Sequence, residues 1–149
     1  MKKRLALQNY LPEAYKLMKE MDDLVAKGID PLHFELIKIR GSQLNGCAYC
    51  LNKHITDAIN LGENPNRIYV LNAWHEAKEW FTEEEQIILQ LTEEITLIGQ
   101  HGISEAVYDR AVEVFGEEQL SHLILAAISI NSWNRVGVGL HFHPVKYDK

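Results

Sequence analysis

Apolar residues recur along this chain at three- and four-residue spacing, the period of one helix face, and rarely in the alternation of a half-buried strand. Ala14, Leu17, Met18, Met21, Leu24 and Val25 form the first stripe, between Pro12, suited to a first helical turn, and Gly28, suited to a helix end. Asp30-Pro31 repeats the start signal, and Phe34, Ile37 and Leu44 lie on one side of a second helix that Asn45-Gly46 interrupts. A third helix begins near Cys47, runs through Ile55, Ala58 and Ile59, and ends at Gly62; Pro65 opens a short fourth through Ile68 and Leu71. Thr82-x-x-Glu85 fits a capping box, and Ile87, Ile88, Leu91, Ile95 and Ile98 carry the helical pattern to Gly99. Ser104 can cap a helix that ends at Phe115-Gly116, and a last helix, strongly apolar over 120–130, starts near Glu117. Residues 74–81 are the least regular and read as a loop over the core. Repeats, low-complexity tracts and Gly/Ser linkers are absent. The pattern predicts an all-α, single-domain bundle of six or seven helices over residues 1–149.

Composition narrows the class. A chain of 149 residues holds one domain and buries about 68–70% of its unfolded surface, enough for a core without staples. Hydrophobic residues make up 46% and charged residues 24%, ordinary globular values that argue against disorder. Fifteen basic against 21 acidic side chains give a net charge of −6, which disfavours a nucleic-acid surface. The deficit lies in residues 76–149, with 5 basic and 13 acidic residues; residues 1–75 have 10 and 8. Glu83, Glu84 and Glu85, with Glu117 and Glu118, fall where first helical turns belong, so the helix dipole accounts for much of the excess. No apolar run approaches the 18 or so residues of a membrane span. Met1-Lys2-Lys3-Arg4 has the charge of a signal-peptide start, but only Leu5-Ala6-Leu7 follows before Gln8 and Asn9. A cytoplasmic protein is expected, without membrane or nucleic-acid partners. In a reducing compartment the two cysteines, Cys47 and Cys50, point to catalysis or metal binding rather than a structural staple.

The stretch Asn45-Gly46-Cys47-Ala48-Tyr49-Cys50-Leu51-Asn52-Lys53-His54 concentrates the chemistry. On a helix Cys47, Cys50 and His54 stand at i, i+3 and i+7 and share one face. The cysteines sit in a first turn, where free backbone N–H groups favour a thiolate, and His54 can take or return a proton one turn on. Cys-x2-Cys-x3-His also supplies three zinc ligands, with His75 or the His141-x-His143 pair as sources of a fourth. Both chemistries stay open on spacing alone. Thioredoxin-like chemistry is disfavoured because the strand that should precede the motif is missing. Trp74, Trp80 and Trp133 read as packing anchors, Trp133 also as a possible pocket wall, Arg40 as a surface residue or a carboxylate partner, and Lys53 as pointing off the Cys–His face.

Phe-Glu-Leu-Ile-Lys-Ile-Arg at 34–40, Ser-Gln-Leu-Asn-Gly-Cys-Ala-Tyr-Cys at 42–50 and His54 resemble the Cys-x-x-Cys branch of the alkylhydroperoxidase D and carboxymuconolactone decarboxylase-like superfamily. That motif has a Glu twelve residues before the first cysteine, then Cys-x-x-Cys-x3-His, and Glu35, Cys47, Cys50 and His54 meet every element. Trp74, the Phe81-Thr82-x-x-Glu85 start and Ser132-Trp133-Asn134-Arg135 are similar too, and the match is densest over 31–100. The resemblance implies that Cys50 is the peroxidatic nucleophile, Cys47 the resolving thiol, His54 the proximal base and Glu35 an outer relay carboxylate. The residues alone put Glu35 on the exposed side of its helix. The resemblance further implies a hydroperoxide substrate, a dithiol or lipoyl-type reductant, no metal or other cofactor, and a homo-oligomer, trimer or hexamer, with the redox site near a subunit boundary. Tyr49 departs from well-studied alkylhydroperoxidase D proteins, which carry a His between the cysteines; a phenol titrates near pH 10 and does not relay protons at neutrality. Competing readings are a lactone decarboxylase or isomerase, whose branch does not need the cysteine pair, and a non-enzymatic zinc or redox-sensing helical module.

Overall fold

The computed structural model describes residue 2 and residues 4–144, so Met1 and Lys3 of the basic start lie outside it. Among the described residues six α-helices carry the fold: α1 (Pro12–Ala26), α2 (Pro31–Asn45), α3 (Ala48–Asn60), α4 (Pro65–Val70), α5 (Glu83–Thr96) and α6 (Glu105–Gly139). Short 3-10 turns occupy Leu7–Asn9, Leu71–Glu76 and Lys78–Trp80, and no strand occurs among the described residues. The all-α architecture follows the sequence pattern closely. Gly116, at φ 71° and ψ 165°, breaks α6 where the pattern changes, so its two arms correspond to the last two expected helices.

The ends are set locally. The Asp30 side chain accepts from the N–H groups of Leu32 and His33, and Asn64 accepts from that of Asn66. Thr82 and Glu85 form the reciprocal capping box, and Ser104 accepts from Val107. Gly28 does follow the end of α1 but for a different reason than expected. Its φ is not positive; a Cβ there would lie 2.6 Å from the His122 ring, which packs across the chain. Residues 74–81 do lie over the core, with Trp74 and Phe81 buried in it, but they form 3-10 turns rather than an irregular loop.

α2 is the axis of the molecule. It packs against α3, α5 and α6, and every residue from Glu35 to Ser42 is buried. One side, with Ile37, joins Ile88 and Leu91 of α5 and Leu123, Ala126 and Ile130 of α6; Cys47 and Cys50 belong to the same cluster. The other side, with Leu36 and Ile39, meets Ala58 of α3, Ile68 and the Trp74–Phe81 turns. A helix apolar on one stripe would leave its polar residues in water; α2 is buried all round, which takes Glu35, Lys38 and Arg40 inside. No helix among the described residues is long and apolar enough to cross a membrane.

Candidate active site

The turn at Gly46, φ 67°, follows α2 and places Cys47 at the N-cap of α3. Cys50 is then the third helical residue, its Cα 5.4 Å from that of Cys47, and the two sulfurs are joined in a disulfide. The Cys50 N–H points at Cys47 Sγ at 3.4 Å, so sulfur takes the place a capping oxygen usually fills. One turn on, the buried His54 ring directs Nδ1 to Glu35 Oε2 of α2 at 2.8 Å. A carboxylate only accepts, so this contact puts the hydrogen on Nδ1 and leaves Nε2 as the reactive nitrogen.

Cys50 and His54 open into a cleft of about 160 Å³ between α1, α3 and the end of α6. Its walls are aromatic: Tyr15 packs edge-on to Trp133 at 5.1 Å, and Tyr49 to Phe142 at 5.6 Å. Trp133 is therefore a cleft wall as well as an anchor. Asp22 also lines the cleft, with its carboxylate bonded to Lys38 Nζ and Ser129 Oγ. Burial lowers the Lys38 ammonium below its ordinary range, against the opposing pull of Asp22, and the charge also lies 4.5 Å from the Phe34 ring centre. Lys53 differs from its expected direction: it lines the cleft and pairs with Asp57 at 2.6 Å. Burial opposes its charge, but Asp57, with more distant Glu35 and Asp22, holds its pKa raised.

The far wall of the disulfide is backbone. A Cβ on Gly137 of α6 would lie 2.8 Å from Cys47 Sγ and 3.5 Å from Cys50 Sγ, so only glycine lets α6 come this close. Gly137 escaped the sequence reading, although a glycine inside an apolar helix is a signal of close approach.

Other candidates lie elsewhere. Arg40 is buried, and its Nε donates to Glu93 Oε1 at 2.8 Å. Trp74 Nε1 donates to the same oxygen at 2.6 Å, while His75 Nε2 sits 2.9 Å from Glu93 Oε2. Burial alone would raise the Glu93 carboxyl; the bonds from Trp74 and His75 and the charge of Arg40 outweigh it and hold the group below the ordinary range. His75 thus belongs to this network and does not line the cysteine cleft. Trp80 is 45% exposed and anchors no core. His141 and His143 line a second cleft, which Cys47 also borders. The disulfide engages both cysteine sulfurs in this structure. Glu35, His54 and Asp57 do bring three ligand atoms within 4.8 Å of one another, but each faces a protein partner, His54, Glu35 and Lys53 in turn.

A model of the carboxymuconolactone decarboxylase family matches residues 12–93, which carry Glu35, both cysteines and His54. The chain belongs to that family. It is 40% identical over 141 residues to an uncharacterized protein of Bacillus subtilis (strain 168), YdfG, covering 94% of this chain and 95% of the relative. Among solved structures it resembles a protein of unknown function from Agrobacterium tumefaciens, named as a candidate antioxidant defence protein, AhpD. The TM-score is 0.93 at 27% identity, over 98% of this chain and 100% of that one. A peroxidase-related protein from Silicibacter sp. TM1040 shares the fold, with a TM-score of 0.76 at 18% identity over 93% and 81% of the two chains. The family thus takes in this all-helical chain with its alkylhydroperoxidase D-like fold.

Proposed function

We propose that the protein is a dithiol peroxidase. The carrying observation is the Cys47–Cys50 disulfide beside the buried Glu35–His54 pair, with Cys50 and His54 lining one cleft. In the reduced protein, His54 Nε2 takes the Cys50 thiol proton. The Cys50 thiolate attacks the terminal peroxide oxygen, the O–O bond breaks, and the departing alkoxide receives that proton as alcohol. Cys50 is left as a sulfenic acid. Cys47, one helical turn away, attacks its sulfur; hydroxide leaves as water and the disulfide forms. An external dithiol or lipoyl-type donor returns two electrons and two protons. Glu35 acts as a positioning residue, fixing the His54 tautomer. Tyr49 packs on Phe142 and serves as cleft wall, in place of the relay a histidine would supply.

The cleft suits a hydroperoxide with an apolar body. A lactone decarboxylase does not call on a cysteine pair, and nothing in the site favours it. The cytoplasm is the proposed compartment, where thiol donors keep the cycle turning. A homo-oligomer is proposed on the family resemblance, with Leu17 and Leu24 of α1 and Leu125 and Ile128 of α6 offering exposed apolar side chains.

The test is a single turnover of fully reduced, chelator-treated protein with one equivalent of cumene hydroperoxide. Stoichiometric peroxide loss should accompany a fall of about two mass units, and Cys50→Ser should show neither. Thiols that stay reduced over minutes refute the peroxidase.

A further inference from the structure

The disulfide is bordered by two clefts, one at each sulfur. Cys50 lines the aromatic cleft with His54 and does not border the other; Cys47 lines the second, about 150 Å³, and does not border the first. Gly137 and Phe142 line both and form the partition. In the second cleft His141 stands at the turn that ends α6, at φ 56°, with Nδ1 3.2 Å from the Lys2 carbonyl. A carbonyl can only accept, so Nδ1 carries the hydrogen in this contact and the neutral ring keeps its Nε2 lone pair.

We propose that the second cleft is the approach for the reducing thiol, with Cys47 Sγ as the sulfur attacked and His141 as the base that receives the thiol proton. This rests on the redox pair of the proposed function, though not on peroxide as its oxidant. Exchange at a disulfide is an in-line displacement: the incoming sulfur arrives opposite the one that leaves. A thiol in the second cleft reaches Cys47 with Cys50 as leaving group; a thiol in the first reaches Cys50 with Cys47 as leaving group. The two departures are unequal. Cys50 leaves into the cleft it shares with His54, whose Nε2 can relay a proton from water to the emerging thiolate. Cys47 would leave against the α6 backbone at Gly137, with the long 3.4 Å contact from the Cys50 N–H but without His54, which does not line its cleft. Attack at Cys47 also keeps the aromatic cleft free for the oxidant.

The step balances. The donor thiol gives its proton to His141 Nε2; its sulfur bonds to Cys47 Sγ, the Sγ–Sγ bond breaks, and Cys50 departs with the electron pair. The donor's second thiol then passes its proton through water to the Cys50 thiolate, attacks the donor sulfur of the mixed disulfide and closes the donor's own disulfide. Cys47 is released as a thiolate, having carried the donor, and takes up the proton that His141 holds. Two electrons and two protons have moved to the protein.

The test uses the oxidised full-length protein without peroxide, so a failure of the peroxidase reading leaves its result standing. It is mixed with 2-mercaptoethanol, acid-quenched at the earliest accessible time, alkylated, and mapped by fragmentation of the peptide holding both cysteines. The expected product carries mercaptoethanol on Cys47 and the alkyl group on Cys50; the reverse placement overturns the proposal. His141→Ala should slow the reaction with 2-mercaptoethanol about tenfold or more. It should leave attack by sulfite, an anion with no proton to lose, within about twofold of the parent rate. Equal slowing of both nucleophiles, or of neither, removes His141 as the base.

Discussion

Replacing Gly137 by alanine adds one methyl group at the tightest point behind the disulfide. The new Cβ would sit 2.8 Å from Cys47 Sγ and 3.5 Å from Cys50 Sγ. The first distance is roughly 1 Å inside the ~3.5–4.0 Å at which such atoms rest. With the sulfurs bonded, the pair cannot swing apart, so α6 must retreat. α6 is itself seated close on α2: a Cβ on Gly41 would already meet Ile130 at 2.9 Å. Overpacking of this kind costs about 1–3 kcal/mol, whereas alanine gains about 1 kcal/mol over glycine as a helix former. The disulfide form should therefore lose about 0–2 kcal/mol. In the dithiol form each sulfur can rotate away, the clash is relieved, and the helix gain remains. The two redox states then move apart by about 1–3 kcal/mol, which makes the disulfide about 5- to 150-fold easier to reduce, or about 20–65 mV higher in potential. Equilibration of parent and variant in dithiothreitol redox buffers reads this directly, and urea unfolding in each redox state reads its two halves. A redox equilibrium within twofold of the parent, or equal loss of stability in both states, would refute the reading of Gly137 as the close-approach residue.

Glu35→Gln keeps the shape of the His54 contact but replaces an acceptor-only carboxylate with an amide; loss of about 1.5–3 kcal/mol from a charge-assisted bond predicts a roughly 10- to 150-fold slower oxidation half-reaction. Stopped-flow peroxide consumption checks it, with circular dichroism expected to be unchanged. Asp22→Ala leaves the Lys38 ammonium buried without its carboxylate, so urea unfolding should show a loss of about 3–5 kcal/mol, largely recovered in Asp22→Leu/Lys38→Met; a loss under about 1 kcal/mol contradicts the pairing. The Glu93 carboxyl is held below the ordinary value of 4.5, so the folded state binds its proton less readily than the unfolded chain. That contribution is present above pH 4.5 and lost as pH falls through the folded value, so Glu93→Gln should flatten the acid limb of a stability–pH curve; an unchanged slope is the contrary result.

What could be read from the chain was what is local. Asp30, Thr82 and Ser104 cap the helices they were expected to cap, because a cap is decided within four residues. Cys50 and His54 border one cleft because i and i+4 share a helix face. Glu35 illustrates the limit. Its partner His54 lies 19 residues on, and helix periodicity alone sent it to solvent; only the family resemblance tied it to the motif. Lys53 was misdirected because the cleft is wider than one helix face: α1 and α6 add its other walls. Asp22 and Ser129 are 107 residues apart, and nothing near either announces the other.

The buried charges of α2 form a pattern that explains why the site sits where it does. At about 100° per residue, Glu35, Lys38 and Arg40 leave the helix in three different directions. Each meets a different neighbour: Glu35 reaches His54 of α3, Lys38 reaches Asp22 of α1 and Ser129 of α6, and Arg40 reaches Glu93 of α5. A central helix with only apolar contacts could slip or rotate by a residue at modest cost. These pairs remove that freedom, because a one-residue rotation would strand several buried charges at about 3–5 kcal/mol each. The register thereby held is the one that sets Glu35 at 2.8 Å from His54. Lys38 and Arg40, which pair with Asp22 and Glu93 rather than with the cysteines, thereby align the candidate site as well as the fold.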